Sequence, residues 1–142
     1  MKQRFMSAIT VVAITLTACG QKLDVSEVPD AVKTSFTKQY PGATAKWEKE
    51  DGRYEADFKF NGNTMSAVFQ ADGMMEESEM DVKVSDLPES VLTYVKEHYK
   101  GKSIEEASKI TLPDGSVNYE AEIGEIDVMF DANGVFLKEV KD

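Results

Sequence analysis

The chain has 142 residues, 26 of them acidic and 16 basic, and its formal net charge is -10. This length is that of one domain and allows a substantial core. The acidic balance argues against nucleic acid as a partner, because phosphate binding needs clustered Lys and Arg. It favours a basic protein or a cation, or serves only to keep a small domain soluble. The single cysteine, Cys19, excludes an intramolecular disulfide and a multi-cysteine zinc site.

Residues 1–18 have the pattern of a signal peptide. Lys2 and Arg4 precede an apolar stretch, residues 5–15, which is too short to cross roughly 30 Å of hydrocarbon as a helix. We therefore expect this segment to direct the protein to the cell envelope and to take no part in the fold.

The signal segment ends in Leu16-Thr17-Ala18-Cys19-Gly20, which resembles the bacterial lipobox. The resemblance implies that Cys19 becomes the acylated first residue and that its acyl chains anchor the protein to a membrane. Residues 19–24 would then form a short lipidated tether. No Asp directly follows the cysteine, which by resemblance to enterobacterial sorting rules favours the outer membrane, facing the periplasm.

The stretch Val25–Val32 recurs 59 positions later as Val84–Val91, with four of the eight positions identical. This repetition predicts that residues 25–142 form one duplicated domain. Its first repeat would cover residues 25–83 and its second repeat residues 84–142.

Each repeat is predicted to begin with a helix. Pro29 suits the first turn of a helix, and Pro41-Gly42 ends the helical pattern. Apolar residues recur every four positions and form one stripe, which is Val28, Val32, Phe36 and Tyr40 in the first repeat and Leu87, Val91, Val95 and Tyr99 in the second. Such stripes usually pack on a core.

Each helix is followed by strands joined by turns. Asn61-Gly62 favours a type I′ hairpin, and Gly124-Glu125 favours a type II′ hairpin. The first turn predicts the pairs Phe60–Asn63, Phe58–Met65, Ala56–Ala67 and Tyr54–Phe69. The second predicts Ile123–Ile126, Ala121–Val128 and Tyr119–Phe130. Both registers place the apolar partners on one face.

Two further strands flank each hairpin, at residues 43–50 and 74–81 in the first repeat and at 102–112 and 135–141 in the second. The expected fold class is therefore α+β. It is a tandem duplication of a helix followed by a four-stranded antiparallel sheet, with the helices packed on one sheet face.

Four motifs of the first repeat resemble a known family. They are Val28-Pro29-x-x-Val32, Tyr40-Pro41-Gly42-Ala43, Trp47-Glu48 and Asp51-Gly52-x-Tyr54-Glu55-x-x-Phe58. Together with the lipobox, they resemble the PepSY-like lipoproteins of Bacteroidetes, whose fold is similar to that of the tandem-repeat β-lactamase inhibitor protein. The resemblance implies an envelope protein that binds something, since PepSY domains are associated with restraining peptidases. No inhibitory or ligand-binding residue is carried over by these motifs.

An enzyme is not expected, and neither is a cofactor. His98 is the only histidine and is predicted to be a surface residue of the second helix. The sequence contains no nucleophile elbow, EF-hand loop or phosphate-binding Gly-rich loop.

Acidic residues mark the candidate binding face. The predicted register places Glu122 opposite Asp127, with Glu120 beside them and Glu125 at the turn, and a three-residue turn after Asp131 would add Glu139 opposite Asp127. Like charges opposed across strands are destabilising. A hard cation such as calcium, bound by Glu122 and Asp127, or a basic partner would relieve the repulsion. The alternative is a solvated and screened acidic surface.

A second acidic run, residues 76–79, is predicted to be a charged strand edge that discourages sheet-to-sheet aggregation.

These features together predict a lipid-anchored, non-catalytic envelope module that recognises an envelope protein or peptide through a sheet face. The alternative is a lipoprotein that binds a small cation or small molecule with the acidic row of the second repeat.

Overall fold

A computed structural model describes residues 20–141. The predicted signal peptide and the predicted lipid attachment at Cys19 lie outside this range. Within it, none of the helices has the length and apolarity needed to cross a membrane.

The described chain consists of nine strands and two ten-residue α-helices, each preceded by a single 3₁₀ turn. In chain order these elements are β1 (Gln21–Leu23), α1 (Asp30–Gln39), β2 (Ala45–Glu50), β3 (Arg53–Phe60), β4 (Asn63–Phe69), β5 (Met75–Val82), α2 (Glu89–His98), β6 (Glu106–Thr111), β7 (Val117–Glu122), β8 (Ile126–Asp131) and β9 (Phe136–Lys141), with the 3₁₀ turns at Val25–Glu27 and Val84–Asp86.

The nine strands form one antiparallel sheet in sequence order, so the predicted fold of two helix-plus-four-strand units is wrong. The two halves are joined by β5 and β6, which pair from Ser78–Thr111 to Val82–Ala107. Left apart, each half would expose a strand edge with unpaired N–H and C=O groups, and pairing the two edges satisfies these groups. Residues Gln21–Leu23, expected in the tether, add the ninth strand beside β2. The result is a mostly β protein.

The two predicted hairpins are confirmed. In β3–β4, Tyr54 is opposite Phe69 and Phe58 is opposite Met65, with Asn61 and Gly62 at positive φ as a type I′ turn requires. The remaining predicted partners are also in register, namely Ala56–Ala67, Phe60–Asn63, Ala121–Val128, Tyr119–Phe130 and Ile123–Ile126.

Both helices cover the same face of the sheet. The stripe of α1 packs on an aromatic cluster in which Phe36 contacts the rings of Tyr40, Trp47, Phe58 and Phe69. The stripe of α2 packs on a smaller, mainly aliphatic cluster with Phe130 at its base. The predicted helix stripes are therefore core, and the opposite face of the sheet, hereafter the outer face, carries the polar residues.

A turn glycine fixes α1 against the sheet. Gly73, in the turn between β4 and β5, has φ +89°, and a Cβ atom there would lie 2.5 Å from the carbonyl oxygen of Ala31. Gly134, in the turn between β8 and β9, has φ +77°, and a Cβ atom there would meet the side chains of Ser90 and Val91 of α2, 1.9 Å from Ser90 Oγ. At these two turns only the absence of a side chain allows the helix to approach.

Gly73→Ala is therefore expected to destabilise the protein by about 2–4 kcal/mol, since it adds a steric clash with backbone to an unfavourable φ. Gly62→Ala is the matched control, because Gly62 has a similar φ of +81° but nothing within 4 Å of the added methyl group. It should cost only about 1 kcal/mol. Urea unfolding of both variants measures the difference, and equal losses would show that the contact with Ala31 is unimportant.

Candidate functional site

The outer face is defined by strand register, because residues directly opposite each other on adjacent strands point to the same side. Its registered carboxylates span the sheet from β2 to β8 and will be called the acidic face; they are Glu48, Glu50, Glu55, Asp57, Glu77, Glu79, Asp81, Glu106, Glu120, Glu122, Asp127 and Asp131.

The structure places the predicted acidic pair as expected. Glu122 is directly opposite Asp127, and Glu106 of β6 is opposite Glu122 on the other side, which makes a row of three acids. Glu120 lies one row away, and Glu125 is exposed in the turn between β7 and β8.

The predicted extension of this row by Glu139 is wrong. The β8–β9 register shifts at Phe130, so that Phe136 is opposite Phe130 but Lys138 is opposite Met129. The extra residue, Leu137, moves every later side chain of β9 to the other face. Glu139 consequently lies opposite Val128 on the helix side, where its carboxylate accepts a hydrogen bond from the Tyr99 hydroxyl.

The acids of the first half were not predicted as part of the site. Residues 76–79 were expected at a sheet edge, but β5 is the central strand of nine, so that prediction is wrong. Glu77 and Glu79 are 8% and 3% exposed, and Glu79 is opposite Ile110 of β6. The register of β3 with β4 places Glu55 and Asp57 on the outer face, and the β5–β6 pairing brings them into one surface with Glu120 and Glu122.

The electrostatics of the acidic face are those of crowded, partly desolvated carboxylates. The pKa of Glu55 is raised to about 8, mainly by burial and to a smaller extent by repulsion from Asp57 and Glu79. The pKa of Glu77 is raised to about 7, again mainly by burial and to a smaller extent by repulsion from Glu79 and Glu76. The pKa of Asp57 is raised as well, mainly by burial. Near neutral pH this face therefore holds protons that ordinary carboxylates would have lost.

Basic side chains lie around the acidic face. At registered outward positions they occur on the strands toward the two edges of the sheet, as Lys22, Lys46, Arg53, Lys59 and Lys138. The registered outward positions of β4 to β8 carry no base. This distribution puts the negative potential at the centre of the outer face.

One hydroxyl lies inside the acidic face without a hydrogen bond. Ser108 of β6 is 0% exposed, and its Oγ has no hydrogen-bonding partner. Its two cross-strand neighbours are Asp81 and Glu120. No local sequence pattern predicts this arrangement, which arises only when β5, β6 and β7 are adjacent.

A preformed metal site is not found among residues 20–141, where no three Asp, Glu, His or Cys side chains are grouped to hold an ion. Glu122 and Asp127, the predicted cation ligands, are opposed but have no third ligand of this kind in place. His98, predicted at the surface, is exposed and stacks on Tyr94 with ring centroids 3.9 Å apart.

This architecture, one antiparallel sheet in sequence order with two helices on a single face, is shared with solved structures. A BLIP-like protein of Bacteroides fragilis is 26% identical, covering 80% of this chain and 86% of that one, with a TM-score of 0.64. A DUF2874 family protein of Bacteroides ovatus is 23% identical, over 80% and 86% of the two chains, with a TM-score of 0.70. A Bacteroides eggerthii protein described as "putative periplasmic" is 20% identical, over 80% and 88%, with a TM-score of 0.72.

The fold is therefore that of the β-lactamase-inhibitor-like (BLIP-like) proteins. The model of the family described as "Putative beta-lactamase-inhibitor-like, PepSY-like" matches residues 15–73 and 53–138. The chain belongs to this PepSY-like family, and the resemblance seen in its motifs is confirmed. No match was found among curated proteins. The description of the Bacteroides eggerthii protein as "putative periplasmic" is consistent with the envelope setting expected from the N-terminal segment.

Proposed function

We propose that the protein is a lipid-anchored, non-catalytic module of the cell envelope that recognises a protein or peptide through its outer sheet face. The observation that carries this proposal is the acidic face itself, which extends over seven neighbouring strands, β2 to β8, on the side opposite both helices. A broad sheet face of this kind matches the extended surface that a protein partner needs, whereas small molecules bind in concave clefts.

The family supports the same reading. Its description as β-lactamase-inhibitor-like implies proteins that act by binding another protein. Inhibition or regulation of an envelope enzyme is then one use of the module, with the acidic face as the contact surface and Glu120, Glu122, Glu125 and Asp127 at one end of it.

The charge of the acidic face defines the test. Affinity capture from an envelope extract would compare the wild type with Glu122→Gln/Asp127→Asn, which removes two opposed charges from the outer face. The matched control is Glu89→Gln/Glu97→Gln, which removes the same charge from exposed positions of α2. We expect a partner recovered by the wild type and the control to be lost from the outer-face variant. Equal recovery of every bound protein by all three would exclude this end of the face from binding.

Anchoring rests on the lipobox and has its own test. Cys19→Ala is expected to abolish labelling of the protein by radioactive palmitate and to release it from the membrane fraction, because two or more acyl chains are needed for stable attachment. Wild-type protein labelled in parallel is the control. Labelling that persists in the variant would rule out Cys19 as the site of acylation. The outer membrane is the expected location of the anchored protein, facing the periplasm.

A further inference from the structure

The buried hydroxyl of Ser108 makes one position of the acidic face different from the rest. On β6 the outward neighbours of Ser108 are Glu106 and Ile110, and across the strands Asp81 and Glu120 lie directly opposite it. Glu79 and Glu122 occupy the diagonal positions, which in a sheet are within reach of long side chains. Carboxylates thus surround the hydroxyl on three strands.

The chemistry of these groups selects the kind of ligand. Ionised carboxylates only accept hydrogen bonds, and a hydroxyl can also accept, so a group that completes this position must be a donor. Ammonium and guanidinium groups donate only and carry the complementary charge. An anion would be repelled by the surrounding acids. No group of three metal ligands is assembled among residues 20–141, which disfavours a bare metal ion as the occupant.

The surroundings also suit the stem of a long basic side chain. Ile110 and Met129 lie on the same face and are buried, and Met129 is directly opposite Glu120. Lys and Arg place their methylene groups on such apolar surface while the charged end reaches a polar partner. Ser108 has a shorter side chain than the carboxylates around it. The charged end of a bound Lys or Arg therefore reaches Ser108 Oγ when the longer, partly exposed side chains of Glu120 and Glu122 change rotamer.

We infer that this position, formed by Ser108 with Asp81 and Glu120, receives an arginine or lysine side chain of a basic partner protein or peptide. The inference rests on the proposed function, which it deepens by naming the chemistry of the partner. The cation is held by the two carboxylates, and Ser108 Oγ gains the hydrogen bond that it lacks in the free protein.

The test uses fluorescein-labelled (Gly-Arg)4 as the probe and measures its binding to the mature protein by fluorescence anisotropy at moderate salt. Glu120→Gln is expected to weaken binding by roughly tenfold or more, because a close charge pair is lost. Ser108→Ala should weaken it by about threefold, the effect of one neutral hydrogen bond. Glu97→Gln, on α2, removes the same charge as Glu120→Gln and should change binding by less than about twofold, since exposed distant charges are screened. Labelled (Gly-Glu)4 should not bind.

Ser108→Ala carries a second readout that separates binding from folding. Removing a buried hydroxyl without a partner is expected to keep or raise the Tm of the free protein, while binding of the arginine peptide weakens. Equal effects of Glu120→Gln and Glu97→Gln would overturn the inference, because they would show attraction to net charge alone. The inference would also be overturned if Ser108→Ala bound the arginine peptide as tightly as the wild type does, or if the wild type did not bind this peptide. If any of these results is found while envelope capture still depends on Glu122 and Asp127, the proposed function stands and only this inference fails.

Discussion

Phe36→Ala is expected to lower the free energy of unfolding by about 3–5 kcal/mol, the usual cost of emptying a buried aromatic site. Phe36 is 5% exposed and lies at the centre of the first core cluster. Its ring centroid is 5.0 Å from that of Phe58, 5.3 Å from Trp47 and 5.6 Å from Tyr40, all at tilted or edge-on angles. Each such aromatic pair adds about 0.5–1.5 kcal/mol beyond the burial of its area, and Phe36→Ala removes several of these pairs at once.

The second repeat provides the control for this substitution. Val95 occupies the position of α2 that corresponds to Phe36 in α1 and is 4% exposed, but its cluster is mainly aliphatic. Val95→Ala removes two methyl groups and should cost about 2 kcal/mol. Urea unfolding followed by the fluorescence of Trp47 measures the free energy of unfolding of both variants. Trp47 contacts Phe36, and it belongs to the one sheet that both halves share. A loss below about 1.5 kcal/mol for Phe36→Ala would show that the cluster relaxes into the cavity.

The local parts of the fold could be predicted from the sequence because their determinants are local. The alternation of apolar and polar residues in 53–60 and the turn at Asn61-Gly62 lie within a single hairpin, and they correctly fixed the register of Tyr54 opposite Phe69. The helix stripes likewise need only a repeat of four residues. For these elements the periodicity and the turn chemistry leave no competing arrangement.

The pairing of β5 with β6 could not be predicted in this way. It joins Val82 to Ala107 across the whole of α2, and nothing in either segment specifies the other as its partner. A run of acids such as residues 76–79 fits a protected edge strand as well as it fits a central strand with one charged face. The wrong prediction of two separate sheets therefore also missed most of the candidate site, because the acidic face exists only when the two halves share one sheet.

A single inserted residue caused the remaining error. The turn after Asp131 has the predicted length, with the Asp131 N–H donating to the Val135 carbonyl. The bulge at Leu137 follows directly, and it moves Glu139 from the outer face to the helix side. A bulge depends on how the strand must twist against its neighbour, and the sequence pattern around it does not reveal that.

The stability of the protein is expected to fall as the pH rises from about 5 to about 8.5. In the folded state the pKa of Glu77 is raised to about 7 and that of Glu55 to about 8, whereas both ionise near 4.5 when the chain unfolds. At pH values between the unfolded-state pKa and the raised folded-state pKa of each group, the folded state binds more protons than the unfolded state. The free energy of unfolding therefore decreases with rising pH. Each pH unit over which one of these groups keeps its extra proton changes the free energy of unfolding by about 1.4 kcal/mol, so the decrease should amount to several kcal/mol and should level off once both groups have ionised.

Glu55→Gln/Glu77→Gln should remove most of this slope, because the amides keep the shape of the side chains without a charge to desolvate. At pH 8.5 the double variant is expected to be more stable than the wild type, and at pH 5 the two should be nearly equal. Glu89→Gln/Glu97→Gln, with the same change in charge on exposed positions of α2, should retain the wild-type slope.

Urea unfolding at several pH values from 5 upward measures these differences. The lower limit keeps the experiment clear of Asp24, Asp30 and Asp114, whose pKa values are lowered by hydrogen bonds and which therefore reduce stability only in more acidic solution. A wild-type stability that rises with pH across this window, or a slope that survives in Glu55→Gln/Glu77→Gln, would contradict the assignment. Because a basic partner would favour the ionised carboxylates, the same groups make its binding strengthen as the pH rises, in the opposite sense to the stability of the free protein.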